Sequence, residues 1–261
     1  MKKMISAVLA AAMCVMMFAG CNDAGDTSSA VSGTGEKEKL IMATEAGFAP
    51  YEYVVGEDVV GIDVEIAKAI AEEMGRELEI QDMDFNGALL AVQNGTADFA
   101  AAGISINDER KEKMDFTIEY ATSKQVVVVR AGDTSVTKET DLAAKVVGGQ
   151  EGTTAQLYYD DPTYSVVPKE FRAYKKYSQA ASDLKNQQID CIVMDELPAK
   201  LLVAKTEGLE IADAELFTES YGMAIQKGNT ELKEAMDKVL QRLIDDGSIQ
   251  KWTQEHSEAA L

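Results

Sequence analysis

The feature that most constrains this chain is an alternation, running from residue 40 almost to the C-terminus, of short apolar runs with segments whose apolar residues recur at helical spacing. Residues 40–44 read as a strand; Ile62, Ile66, Ile70 and Met74 then repeat with a helical period until Gly75, which suits a helix C-terminus. Strands follow at 78–83 and 99–102, with a helix through Ala88, Leu89 and Val92 between them that stops at Gly95. Four consecutive valines at 126–129 read as a strand buried on both faces. The pattern continues with strands at 145–148, 171–174, 191–194 and 221–225, and with helices at 153–159, 178–186, 197–205 and 231–246, the last ending at Gly247. Strands alternating with helices on this scale give an α/β fold with mainly parallel sheets flanked by helices.

At 261 residues the chain can form one large domain or two lobes of ordinary size. A short internal similarity favours two equivalent halves. Asn94-Gly95-Thr96-Ala97-Asp98 leaves a helix and enters a strand, as does Asn186-Gln187-Gln188-Ile189-Asp190, which places each aspartate at a helix-to-strand corner. The formal net charge of −20 has the wrong sign for gripping a phosphate backbone, so nucleic acid is not an expected partner.

The first segment reads as an address. Lys2 and Lys3 form a basic start, residues 4–20 are uncharged and largely apolar, and Ala19-Gly20 precedes Cys21. Ala19-Gly20-Cys21 resembles a bacterial lipobox, which implies a signal peptide over 1–20 and a diacylated Cys21 as the mature N-terminus. Residues 21–39 then form a polar tether rich in Gly, Ser, Thr, Asp and Lys. Cys14 leaves with the signal and Cys21 carries lipid, so Cys191 has no intrachain partner; it lies in an apolar run and reads as a packing residue.

Motifs for catalysis are absent: no G-x-S-x-G, no Walker loop, no G-x-G-x-x-G and no H-E-x-x-H. Ser135-Val136-Thr137-Lys138 fits S-x-x-K but has no partner motif. One histidine, His256, and one thiol in the folded part make neither a conventional zinc site nor a catalytic triad, so neither metal nor cofactor is expected. What stands out is Ala102-Gly103-Ile104-Ser105-Ile106-Asn107-Asp108-Glu109-Arg110. A small-residue strand delivers a glycine and a hydroxyl to a loop, and Asn107 caps a short helix that presents Arg110. A guanidinium held this way suits a carboxylate, because its fork makes two parallel charge-assisted bonds.

Four separated stretches, Thr44 through Tyr53, Gly61 through Ala67, Phe85-Asn86-Gly87 and Ala102 through Arg110, together resemble the polar amino-acid-binding proteins of ABC importers (family 3 extracellular solute-binding proteins). The resemblance covers nearly all of residues 40–255. It implies a periplasmic binding protein-like fold of type II: two lobes joined by two hinge strands, with 40–125 and 222–261 in lobe 1 and 126–221 in lobe 2. Residues 126–130 would be the outward hinge and 219–223 the return.

It also implies a site. Arg110 would clamp the α-carboxylate of a free L-amino acid, assisted by Ser105 and the amide of Thr153, with Thr154 beside it at a helix N-terminus that already favours an anion. Asp195 and the carbonyl of Gly103 would hold the α-ammonium, and Phe48 and Phe85 would flank the side chain. Glu45, Gln150 and Met194 would meet its far end. An acid there favours a polar or basic side chain: lysine, arginine, histidine, glutamine and cystine are candidates, and aspartate and glutamate are excluded. The implied protein is a monomeric extracytoplasmic receptor, anchored to the cell membrane through Cys21, that passes its ligand to the transmembrane subunits of a permease. The alternative is a dehydratase acting on a cyclic prephenate-like acid, with Glu45 or Asp195 as general acid.

Overall fold

The computed structural model describes residues 38–214 and 216–261; the expected signal peptide and Cys21 lie outside them. The described part starts with β1 (Lys39–Thr44), so the last residue assigned to the tether is already strand. A small antiparallel sheet follows, β2 (Gly47–Phe48), β3 (Glu52–Val55) and β4 (Asp58–Val60), which the strand-helix alternation did not foresee. Next come α1 (Ile62–Glu73), β5 (Glu77–Asp82), α2 (Phe85–Gln93), β6 (Phe99–Ala100), α3 (Asp108–Lys113) and β7 (Met114–Phe116). The long strand β8 (Ala121–Arg130) leads to β9 (Val146–Gln150), α4 (Thr154–Tyr159), β10 (Glu170–Tyr174), α5 (Tyr177–Lys185), β11 (Cys191–Asp195), α6 (Glu196–Lys205) and β12 (Leu209–Ile211). Strand β13 (Thr218–Tyr221) brings the chain back to β14 (Ala224–Gln226), α7 (Thr230–Asp245) and α8 (Ser248–Ala259). Among the described residues no helix is long and apolar enough to cross a membrane.

Two mixed sheets result, one per lobe. The first has the order β5-β1-β6-β14-β7; the second has β10-β9-β11-β8-β12, with β13 also on β8. Strands joined by helical crossovers pair in parallel: β1 with β5 and β6, and β9 with β10 and β11. Strands that arrive from the other lobe, β8 and β14, enter from the opposite end and pair antiparallel. This is why the sheets are less uniformly parallel than the alternation suggests.

Register moves the outward crossing from where the sequence reading put it. Residues 121–124 of β8 pair with Thr218–Tyr221, whereas residues 125–130 pair with β11 and β12 inside the second sheet. The valine run is thus core and not hinge. Val126 and Val128 face one apolar layer with Ile192, and Val127 and Val129 face another with Leu142 and Tyr159. Strand alternation splits β1 in the same way: Leu40 and Met42 pack toward α1 and α7, and Ala43 toward α2.

The repeated corner is structural. The main-chain N–H of Asp98 donates to Ile41 O (2.9 Å) and its Oδ2 accepts from Ile41 N (2.7 Å); Asp190 makes the same two bonds with Val146, at 2.9 and 2.7 Å. Each aspartate, just before β6 or β11, ties the start of its strand to a parallel strand of its own sheet, β1 or β9.

Candidate functional site

The C-terminal ends of the parallel strands and the loops beyond them meet between the two sheets, the usual place for a ligand on an open α/β sheet. The cleft there is lined by Glu45 and Phe48 after β1, Glu52 at the start of β3, Phe85 at the start of α2, Ala102, Gly103 and Ser105 after β6, and Arg110 in α3; the second lobe contributes Gln150, Thr153, Thr154 and Asp195. All the residues expected from the sequence gather here except Met194. Consecutive strand residues face opposite ways, so with Asp195 in the cleft Met194 turns to the other side of β11, into the core with Ile192 and beneath a separate apolar groove.

Arg110 is fixed by its cap and its neighbours. Asn107 Oδ1 accepts from Arg110 N at 2.8 Å, and Nη1 and Nη2 donate to the carbonyls of Ser105 (2.7 Å) and Gly152 (3.0 Å), the second bond crossing between lobes. The guanidinium carbon stands 5.4 Å from the centre of the Phe85 ring. Burial lowers its pKa, with Glu219 as the leading opposing charge. Its hydrogen bonds go to neutral carbonyls and to no carboxylate among the described residues, which leaves a buried cation with N–H groups to offer an anion.

Glycine is required where the backbones approach. Gly103 has φ +54, and a Cβ there would stand 2.7 Å from Phe48 Cε1; Gly152 has φ +80, and a Cβ would stand 1.9 Å from Asn86 Oδ1. Thr153 N lies 3.4 Å from Gln150 O, a long bond for an amide expected to serve an anion, and Thr154 Oγ1 donates to Glu219 Oε2 at 2.9 Å.

The other side of the cleft is acidic. Glu45 Oε2 accepts from Gln150 Nε2 at 3.1 Å, and Lys176 Nζ stands 3.6 Å from its Oε1, so both interlobe partners of Glu45 come from the second lobe. Burial raises Glu45, with Gln150 and then Lys176 opposing. Asp195 accepts from the Tyr221 hydroxyl, and burial, reinforced by Glu219, pushes it up to about 6. Asp63, one layer below, accepts from Tyr120 Oη at 2.7 Å and Gly103 N at 3.0 Å; burial carries it to about 6 as well. Glu52 is fully buried with no donor to either carboxyl oxygen among the described residues, and burial, then the charges of Asp63 and Glu45, raise it well above the usual carboxylate range. Asp63 also lies within hydrogen-bonding reach of Glu52, a contact that favours the proton on Glu52 and the charge on Asp63. Among the described residues no group of three or more His, Cys, Asp or Glu is placed to hold a metal ion.

Glu52, Asp63, Lys176, Tyr177, Glu219 and Tyr221 escaped the sequence reading. For Asp63 a signal was present: it shares a helical face with Ile66, Ala67 and Ile70, all buried, and an acid on an apolar face has a specific partner or purpose. Tyr177 stacks on Phe48 across the cleft, with centroids 6.0 Å apart, a contact no local pattern announces.

The family of bacterial extracellular solute-binding proteins, family 3, matches residues 40–258. The arginine-binding extracellular protein ArtP of Bacillus subtilis (strain 168) is 30% identical over 91% of this chain and 94% of its own length. The L-cystine-binding protein TcyJ of Escherichia coli (strain K12) is 29% identical over 83% of each. The crystal structure of the amino acid ABC transporter substrate-binding protein AbpA of Streptococcus pneumoniae, bound to L-arginine, superposes with a TM-score of 0.80 at 37% identity, covering 85% of this chain and 95% of that one. These are binding proteins and not enzymes, so the dehydratase alternative is set aside.

Proposed function

The chain belongs to the family 3 bacterial extracellular solute-binding proteins, and from that premise we propose that it captures a basic L-amino acid, arginine foremost, for an ABC importer. The observation that carries this reading is the charge layout of the cleft: a buried Arg110 without a carboxylate partner among the described residues on one side, and Glu45, Glu52 and Asp195 on the other. An α-carboxylate would complete Arg110, with Ser105 and Thr153 N beside it. The α-ammonium would sit with Asp195 and Gly103 O, the aliphatic stem between Phe48 and Phe85, and the cationic end toward Glu45, Glu52 and Gln150. ArtP and AbpA, similar over most of the chain, are named for or bound to arginine.

In this reading residues 40–125 and 222–261 form one jaw and 126–221 the other, and the cleft closes on ligand by contacts made only when the jaws meet. Lipid on Cys21 would hold the receptor at the membrane beside its permease.

A thermal-shift screen of the twenty amino acids, followed by calorimetry, tests the reading. A ligand at about 100 times its Kd adds roughly 2.7 kcal/mol of stability, and arginine is expected to give the largest shift. Arg110→Ala should weaken binding by about 2 to 5 kcal/mol while the ligand-free fold persists, and Arg110→Lys should fail as well. Tight glutamate binding, or wild-type affinity in Arg110→Ala, would overturn it.

A further inference from the structure

We propose that Glu52 makes this cleft choose between cationic and neutral polar amino acids by giving up its proton to solvent when, and only when, the incoming side chain carries a positive charge. The inference rests on the ligand class proposed above.

Glu52 lines the cleft, is fully buried, and has no donor on either oxygen among the described residues. An ionised carboxylate in that position, with neither a cation nor a hydrogen-bond donor, is strongly disfavoured, so the group holds a proton until a cation arrives. Its neighbours decide which carboxyl of the pair is charged. Asp63, from α1, receives one donor on each oxygen, from Tyr120 and from Gly103, and is built to be the anion. Glu45, after β1, and Asp195, from β11, add further negative field, and the phenols of Tyr51 and Tyr221 pack nearby without donating to Glu52. The cations of the cleft are committed elsewhere: Arg110 donates to two carbonyls and Lys176 stands against Glu45. Burial and these acids hold Glu52 well above the ordinary carboxylate range, which fits its role as the proton carrier.

A guanidinium or ammonium entering this space supplies the missing positive charge. The Glu52 proton leaves to water as the ligand's charge enters, so the total charge of the cleft is unchanged. A neutral amide or ureido group leaves the proton in place, between Glu52 and Asp63. Arginine and citrulline have similar shape and differ in this charge, so acidification should favour citrulline over arginine by up to about tenfold per pH unit while Glu52 titrates.

Calorimetry of wild-type protein with arginine and with citrulline, between pH 5.5 and 8 in buffers of different ionisation enthalpy, reads the proton count directly. Asp195 meets the α-ammonium of both ligands, so any proton it contributes cancels in the comparison. About one more proton should be released with arginine than with citrulline, and the arginine preference should rise with pH. Glu52→Gln should abolish the extra release and flatten the preference. Equal proton counts for the two ligands, a preference independent of pH, or extra release that survives in Glu52→Gln would overturn the proposal. The wild-type measurement decides the matter even if Glu52→Gln fails to fold. Failure of arginine to bind at all would sink the ligand reading together with this inference, whereas arginine binding without extra proton release would sink the role of Glu52 alone.

Discussion

Tyr221, on the strand that returns the chain to the first lobe, donates its phenol hydrogen to Oδ1 of Asp195 at the end of β11 in the second. One hydrogen bond thus joins the return crossing to the carboxylate proposed to receive the ligand's ammonium. The ring is held by edge contact with Tyr51, at 5.1 Å between centroids, so Tyr221→Phe keeps the packing and removes only the donor. A buried hydrogen bond to a charged group contributes about 1.5 to 3 kcal/mol, and that loss is expected in urea denaturation. Arginine affinity should fall too, because Asp195 loses a donor that favours its charged form. Stability within about 0.5 kcal/mol of wild type would show that the bond contributes little.

The acid pocket gives the ligand-free protein a particular pH response. Asp63 and Asp195 both rise from 3.8 to about 6 on folding, with burial the first cause in each. The native state therefore binds protons more tightly than the unfolded state between those values, and stability from these groups is fully present below about 3.8 and lost as pH rises through about 6. Each contributes at most about 3 kcal/mol. Denaturation midpoints of the ligand-free protein should increase from pH 7 to pH 5, before surface acids held low by their partners, such as Asp115 and Asp246, begin to protonate and reverse the trend. A flat or falling midpoint over that interval would contradict the desolvation assigned to this pair.

The order of strands and helices was readable because periodicity is local. The helix at Ile62, Ile66 and Ile70 and the buried valine strand both stand where their spacing put them. The Asn-x-x-x-Asp repeat also carried real information, since Asp98 and Asp190 make matching bonds to Ile41 and Val146. What escaped depends on pairing between distant segments. Nothing near Val126 says that residues 121–124 make the crossing, and nothing near Tyr177 or Lys176 says that they will meet Phe48 and Glu45. Met194 was misplaced for a simpler reason: one step along a strand changes the face.

The repeated corner makes a prediction of its own. Asp98→Ala and Asp190→Ala each remove the carboxylate acceptor from a strand N–H and should each cost about 1 to 3 kcal/mol. The corners lie in different sheets and share no partner, so the double variant should show the sum within about 0.5 kcal/mol in chemical denaturation. A strong departure from additivity would mean that the lobes are coupled through these corners.

Membrane attachment rests on Ala19-Gly20-Cys21 and the polar stretch behind it. Two acyl chains hold a protein firmly where one does not, so wild type should fractionate with membranes and Cys21→Ala should be released or left unprocessed. Normal maturation and membrane retention of Cys21→Ala would remove the lipid from the proposal.

Gly152 offers the sharpest test of lobe contact, because its neighbours come from both sides of the cleft. Its N–H donates to Gln156 Oε1 at 2.7 Å within its own lobe, and its carbonyl accepts from Arg110 of the other. Its φ of +80 already disfavours any side chain, and a Cβ would stand 1.9 Å from Asn86 Oδ1, far inside contact distance. Gly152→Ala should therefore act twice: about 1 to 2 kcal/mol of stability lost to the left-handed backbone, and a wedge against Asn86 that keeps the lobes from meeting. Arginine affinity should fall at least about tenfold, the equivalent of 1.4 kcal/mol. Asn86→Ala in the same background removes the wedge but not the backbone strain, so affinity should recover in large part while stability does not. Calorimetry and denaturation on the two single variants and the double separate these effects as a coupling energy. If Asn86→Ala restores no affinity to Gly152→Ala, the seam between these two residues does not limit closure.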